Sequence, residues 1–234
     1  MEKAITSKPL GKALCIGMSA ALVSAVAAMP VMLANPGQAE AKTYKSYSNK
    51  TLKKQATKTI KAAKAKKGSK KSKLKKICKR IVKKYSFYPM YSYKIKGIQT
   101  VDQEAIKKKN GYKYIATPTF KKKKGSCYGY ASVMGITAKT ALGKKAKVRI
   151  AYATLDQGKF FNNSSYKGNA QKHAWTEVKL GSSWYIYDAN LSEYAADRFG
   201  SATYVMGKKK ASSAMKSLYK PLKGKVKYVK VRSL

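Results

Sequence analysis

Acid is scarce in this chain. Nine Asp and Glu stand against 52 Lys and Arg, a net charge of +43 over 234 residues, so the surface must meet something anionic or hold copies of itself apart. Arginine is scarce too: Arg80, Arg149, Arg198 and Arg232 are the only four. Without it the chain lacks the side chain best suited to bidentate contacts with bases and phosphates, which argues against a nucleic-acid partner. One histidine and three cysteines are too few for zinc fingers, iron–sulfur clusters or a multi-disulfide scaffold, and no metal or other cofactor is expected. Any imidazole chemistry has His173 as its one candidate. Disorder throughout is excluded as well, since 44% hydrophobic residues can furnish the core of one ordinary domain.

Residues 1–41 read as a signal peptide. Lys3, Lys8 and Lys12 make a basic head, Ala13 to Ala34 is uncharged and apolar, and Ala39-Glu40-Ala41 is a small-residue cleavage site. The apolar stretch is long enough to span a bilayer, so an uncleaved anchor is the competing reading; its Ala, Gly and Ser content and Pro30 favour removal. Cys15 lacks the small residue that lipid attachment needs beside it. Removal takes away three Lys and two Glu, leaving a secreted protein still more basic per residue, retained at the cell wall or the outer face of the membrane. Cys78 and Cys127 remain, and outside the cell two cysteines ordinarily suggest a disulfide.

From Lys42 to Lys84 there are 19 basic residues and no acid. Leu52, Ala56, Ile60 and Ala63 give a weak helical pattern, but its lysine face would repel itself, so 42–71 is expected to be a Lys-rich flexible arm. Point charges of this kind suit anionic wall polymers or lipid head groups. The domain proper is expected over 72–206, opening with a helix whose stripe is Leu74, Ile77, Cys78, Ile81, Val82 and Tyr85. Residues 85–115 read as irregular, with a short helix start at Asp102 and a turn at Asn110-Gly111. A second helix is expected from Cys127 to Gly143, a strand over 148–153, a long loop over 157–171, and a hairpin of 174–180 and 184–188 around a Gly181-Ser182-Ser183 turn. Residues 207–234 read as a basic extension that can add a last strand at 225–231. Helices followed by an antiparallel sheet make the α+β class.

Three segments carry chemistry. Gly125-Ser126-Cys127-Tyr128-Gly129-Tyr130-Ala131 puts a thiol at a helix start, His173-Ala174-Trp175-Thr176-Glu177-Val178 puts an imidazole at the start of a strand, and Trp184-Tyr185-Ile186-Tyr187-Asp188 puts a carboxylate at the end of its hairpin partner. A three-residue turn would set His173 opposite residue 191, so a slip or bulge is needed to bring Asp188 alongside. A helix amino terminus, helped here by Lys121 to Lys124, favours thiolate. Thiol catalysis needs this set: a nucleophile, a base that exchanges its proton, and a third group that fixes the base's tautomer.

These motifs resemble the bacterial transglutaminase-like superfamily, whose members carry Gly-x-Cys-x-Gly-Tyr-Ala, His-Ala-Trp-x-x-Val and Trp-Tyr-x-x-Asp in this order. The resemblance implies a papain-like core with the nucleophile at a helix amino terminus packed on an antiparallel sheet. It implies Cys127 as nucleophile, His173 as general base, Asp188 as orienting carboxylate, and Trp175 and Trp184 as packing aromatics. For the oxyanion, the backbone N–H of Cys127 is expected; Tyr88, Tyr91 and Tyr93 are side-chain candidates among which the sequence does not choose. Ala189-Asn190-Leu191 departs from the usual continuation after the aspartate. Glu177, Glu193 and Asp197 read as structural or solvated.

The implied activity is thiol-dependent acyl transfer on peptide or carboxamide bonds, by a protease, amidase or transglutaminase. The abundant lysines would invite self-coupling, which favours hydrolysis. The alternative is a catalytically inactive cationic module that binds the cell wall or a membrane surface, with the basic arm as its working part.

Overall fold

The computed structural model describes residues 44–88, 91–156, 170–193, 206–208, 219–222 and 224–234. The expected signal peptide, most of the expected loop at 157–171, and Asp197 lie outside the described residues.

Ser48 caps α1 (Asn49–Ala62) and Ser69 caps α2 (Lys70–Lys84), each hydroxyl oxygen accepting the backbone N–H three residues on. Leu52, Ala56, Thr59 and Ile60 form the buried stripe of α1, which packs on the helix that begins at Cys127. This corrects the expectation of a flexible arm over 42–71. Lysine repulsion acts across solvent and is screened within about 10 Å, whereas burying Leu52 or Ile60 stabilises the helix by about 1.5–3 kcal/mol each. Tertiary burial therefore decides the matter. In α2 the residues Leu74, Ile77, Cys78 and Ile81 point inward.

The stretch read as irregular is more ordered than its sequence suggests. β1 (Ser86–Phe87) runs to a hairpin of β2 (Ser92–Ile95) and β3 (Ile98–Val101), then to the short α3 (Asp102–Ala105) and to α4 (Gly111–Lys122). Asn110-Gly111 looks like a turn and Pro118 like a helix breaker, yet α4 forms and buries Tyr112, Ile115, Ala116, Thr119 and Phe120. Asn110 takes a left-handed φ of 60° at its start. Gly111 is obligatory there, because a Cβ would lie 1.6 Å from the Ala105 carbonyl oxygen. β4 (Lys124–Gly125) pairs in parallel with β1 and leads into α5.

α5 (Cys127–Leu142) is buried on every side from Cys127 to Lys139, as a helix in the middle of a domain must be. Helices α1, α2 and α4 cover one side of it. β5 (Val148–Asp156) and β6 (Ala170–Leu180) cover the other. With β7 (Ser183–Tyr187), β8 (Met206–Lys208) and β9 (Lys227–Lys230) they form an antiparallel sheet of order β8-β7-β6-β5-β9. The architecture is α+β, with one helix held between helices and a sheet.

The carboxyl end belongs to this core. β9 closes the sheet edge beside β5, and Val231 is buried against α5 so closely that a Cβ on Gly135 would stand 3.1 Å from its Cγ2. The expected boundary at 206 therefore falls inside the sheet.

Candidate active site

The hairpin turn decides which side chains can meet. It has two residues, Gly181 and Ser182, with Gly181 at φ 61°, so Leu180 pairs with Ser183 and Thr176 with Tyr187. The expected three-residue turn would have put residue 188 on the face opposite His173. Faces alternate along a strand, so shortening the turn by one residue exchanges them. His173, Trp175 and Asp188 then share a face, and Asp188 Oδ2 lies 2.5 Å from His173 Nε2. Neither a slip nor a bulge is needed between β6 and β7.

Asp188 is fixed from three directions. Its Oδ1 accepts the Leu191 N–H at 2.9 Å and its carbonyl accepts the Ser192 N–H at 3.0 Å, which caps the helical turn beginning at residue 189. Tyr219 Oη donates to Oδ2 at 2.9 Å. Tyr219 also meets Trp175 edge to face, and Trp175 lies parallel to His173 with centroids 6.0 Å apart. Sequence reading missed Tyr219, because nothing in a lysine-rich stretch outside the motifs signals it.

The two tryptophans part company. Trp175 is buried, its Nε1–H donating to Glu177, which is ion-paired with Arg149 at 2.7 Å. Trp184 is half-buried and serves with Tyr228 as one of two rings, 3.8 and 3.7 Å away, that sandwich the Arg149 guanidinium. Glu177 is thus structural, and Glu193 accepts a hydrogen bond from Tyr130 Oη.

Cys127 is the first residue of α5. Its Sγ lies 3.9 Å from the Lys172 carbonyl oxygen and is a hydrogen-bonding neighbour of His173. With Nε2 committed to Asp188, Nδ1 is the ring nitrogen left to exchange a proton with the sulfur. Thr176 Oγ1 donates to the Ala131 carbonyl at 2.8 Å, tying β6 to the helix that Cys127 begins. Cys127 and Cys78 are both free thiols, so the competing disulfide is not formed. Cys78 is fully buried, and desolvation, helped by the Asp188 charge, pushes its thiol far up.

The glycines flanking the thiol have a local cause. A Cβ on Gly125 would lie 2.8 Å from Thr119 Oγ1, and one on Gly129 would lie 2.6 Å from the same atom. Thr119 of α4 is wholly buried. The Gly-x-Cys-x-Gly pattern is therefore the imprint of α4 pressed against the first turn of α5.

The charges favour a protonated imidazole. Burial disfavours the imidazolium of His173, but the Asp188 carboxylate and the Cys127 sulfur outweigh it and raise the ring up to about 10. A protonated ring between a carboxylate and a sulfur is the resting form that a thiolate nucleophile requires. The Cys127 N–H, at the first helical position, has no acceptor within its own helix. Of the tyrosines considered for the oxyanion, Tyr93 gives its hydroxyl to Asp102, Tyr91 gives its own to the Lys124 carbonyl at 3.2 Å, and Tyr88 stacks on Tyr91.

Asp102 is the second residue that sequence reading passed over. It is 1% exposed, and its two oxygens accept the Tyr93 and Ser126 hydroxyls. Ser126 is the cap of α5, its oxygen accepting the Gly129 N–H. Among the described residues, no group of three or more His, Cys, Asp or Glu is placed to hold a metal ion.

Among curated proteins, none matches the chain in sequence. A solved structure described as a crystal structure of a TGase aligns with 72% of this chain and 37% of its own, at 13% identity and a TM-score of 0.38, so the chain spans little more than a third of that protein. The transglutaminase-like superfamily profile matches residues 53–189, a span that begins within α1 and ends just past Asp188. That match covers more than half of the sequence, and the chain belongs to the transglutaminase-like superfamily.

Proposed function

We propose that the protein is an exported thiol-dependent acyl-transfer enzyme, a protease, amidase or transglutaminase that cleaves or exchanges peptide or carboxamide bonds at the cell surface. The observation that carries the reading is the buried His173–Asp188 pair at 2.5 Å with the Cys127 thiol against the same ring at a helix amino terminus. In the first half-reaction Cys127 Sγ bonds to the carbonyl carbon. The oxyanion forms near the Cys127 N–H, and the C–N bond breaks as His173 hands its proton to the departing amine. A thioester results. In the second half-reaction, water or an amine attacks that thioester, His173 takes a proton from the attacker, and the C–S bond breaks to restore the thiolate. Hydrolysis is the favoured outcome, because a lysine-rich enzyme that welcomed amines would couple to itself.

Protein or peptide is the substrate class. The lysines support retention on anionic wall polymers or lipid head groups: among the described lysines only Lys107 is ion-paired with an acid, Glu104. Such attraction weakens with salt.

Cys127→Ala tests the reading. Loss of iodoacetamide-sensitive turnover, and of a thioester trapped on the wild-type Cys127 peptide, is expected. A variant that keeps full turnover, or a wild-type protein that binds anionic polymer yet forms no acyl adduct with any peptide or carboxamide, would favour the inactive binding module instead.

A further inference from the structure

We infer that Asp102 is a positioning residue for Cys127, its carboxylate holding the Ser126 hydroxyl in the one orientation that caps the helix on which the nucleophile rides. This rests on the thiol-enzyme reading of the site. Ser126 has a single hydroxyl hydrogen. It is given to Asp102 Oδ2, so the oxygen is left to accept the Gly129 N–H at 3.4 Å. The other carboxylate oxygen accepts the Tyr93 hydroxyl, and the Tyr91 backbone N–H donates as well. Charge assistance makes such bonds stronger and more directional than a neutral cap would be. Cys127 is the next residue, so a rotation of Ser126 displaces the first turn of α5 and the sulfur with it.

An ion pair does not account for this carboxylate. The described ion pairs do not include Asp102, and the titratable groups that feel its charge are Tyr91 and Tyr93 from the β2 side and Tyr128 from α5, all neutral hydroxyls raised above their usual range by burial. Glu104, on its own short helix, pairs outward with Lys107. A buried charge without a cation is costly, and what this one holds is the cap of the nucleophile helix. Burial outweighs the bonds from Ser126, Tyr93 and Tyr91 and lifts Asp102 up to about 6. Below that pH the carboxyl carries a proton that competes with the two hydroxyl hydrogens, and the cap loosens.

Alkylation of Cys127 by iodoacetamide in the full-length protein, read on the peptide that contains it between pH 4.5 and 9, tests this. Asp102→Asn can no longer accept both hydroxyls. It is expected to alkylate about tenfold more slowly than wild type at pH 7.5 and to lose the part of the pH dependence centred near 6. Ser126→Ala should give the same loss, and the double variant no further one. Asp102→Asn alkylating at the wild-type rate, or the two losses adding, overturns the inference. Should Asp102→Asn fail to fold, Ser126→Ala decides alone: an unchanged rate and pH profile overturns it. Alkylation needs no substrate, so failure of the acyl-transfer reading would show as absent turnover and leave this comparison intact.

Discussion

Gly129→Ala places a methyl group 2.6 Å from Thr119 Oγ1, where ordinary contact begins at 3.4 Å. The clash cannot be relieved by a swinging side chain. Thr119 is fully buried and its hydroxyl donates to the Ile115 carbonyl at 2.9 Å, so its rotamer is held by its own helix. Either α4 or the first turn of α5 must retreat by about 0.8 Å. Overpacking of this size costs about 1–3 kcal/mol of stability, visible as a lower urea midpoint with unchanged slope. The same retreat moves Cys127, two residues away, relative to His173, and misplacement near 1 Å lowers the rate of an oriented reaction by about a hundredfold. Thr119→Ala removes the offending atom, so Thr119→Ala/Gly129→Ala should recover at least half of both losses, a coupling of about 0.5–3 kcal/mol in a double-mutant cycle. Urea unfolding and Cys127 alkylation measured on all four proteins give the result. Additive losses, or a Gly129→Ala protein as stable and reactive as wild type, would refute the account of the glycine pair.

Two further outcomes are expected. Leu52→Ala, in the helix where the sequence suggests a flexible arm, should destabilise the domain by about 2–5 kcal/mol in urea unfolding, because Leu52 is 0% exposed; an unchanged midpoint would return the segment to solvent. His173 is the only histidine, so one imidazole resonance reports its titration, with a midpoint near 10 in wild type, little changed in Tyr219→Phe and falling several units in Asp188→Asn. Its raised value means that the pair's contribution to stability is complete below the ordinary histidine value near 6.5 and is lost as pH climbs through 10. A wild-type midpoint near 6.5 would contradict the pairing.

How much of this was legible in the sequence depends on the distance over which each cause acts. The apolar stripe of α2 and the long core helix after Cys127 follow from local periodicity. The face shared by His173 and Asp188 hangs on one residue of turn length, and Gly181-Ser182-Ser183 does not announce whether two or three residues form the turn. α1 was misjudged because a lysine face looks prohibitive on an isolated helix, while the stabilising partner, α5, lies some 70 residues downstream. α4 was hidden by the apparent turn at Asn110-Gly111, and with it the cause of the flanking glycines. Tyr219 and Asp102 reach the site from 31 residues after Asp188 and 24 before Ser126, and only the folded chain brings them there.

The scarcity of acid takes on a different meaning once those positions are known. Asp102, Glu177 and Asp188 are each less than a tenth exposed, in a protein whose surface is dominated by lysine. Each is held by a different donor set: two hydroxyls at Asp102, a guanidinium and an indole at Glu177, a phenol and a helix-start N–H at Asp188. An acid on such a surface would sit among many equivalent ammonium groups, any of which could pair with it, and so could fix no geometry. Inside, with few and directional donors, the same group dictates where its neighbours stand. The chain therefore keeps its positive field outside and uses much of its little carboxylate to hold a histidine, an arginine and a helix cap in place.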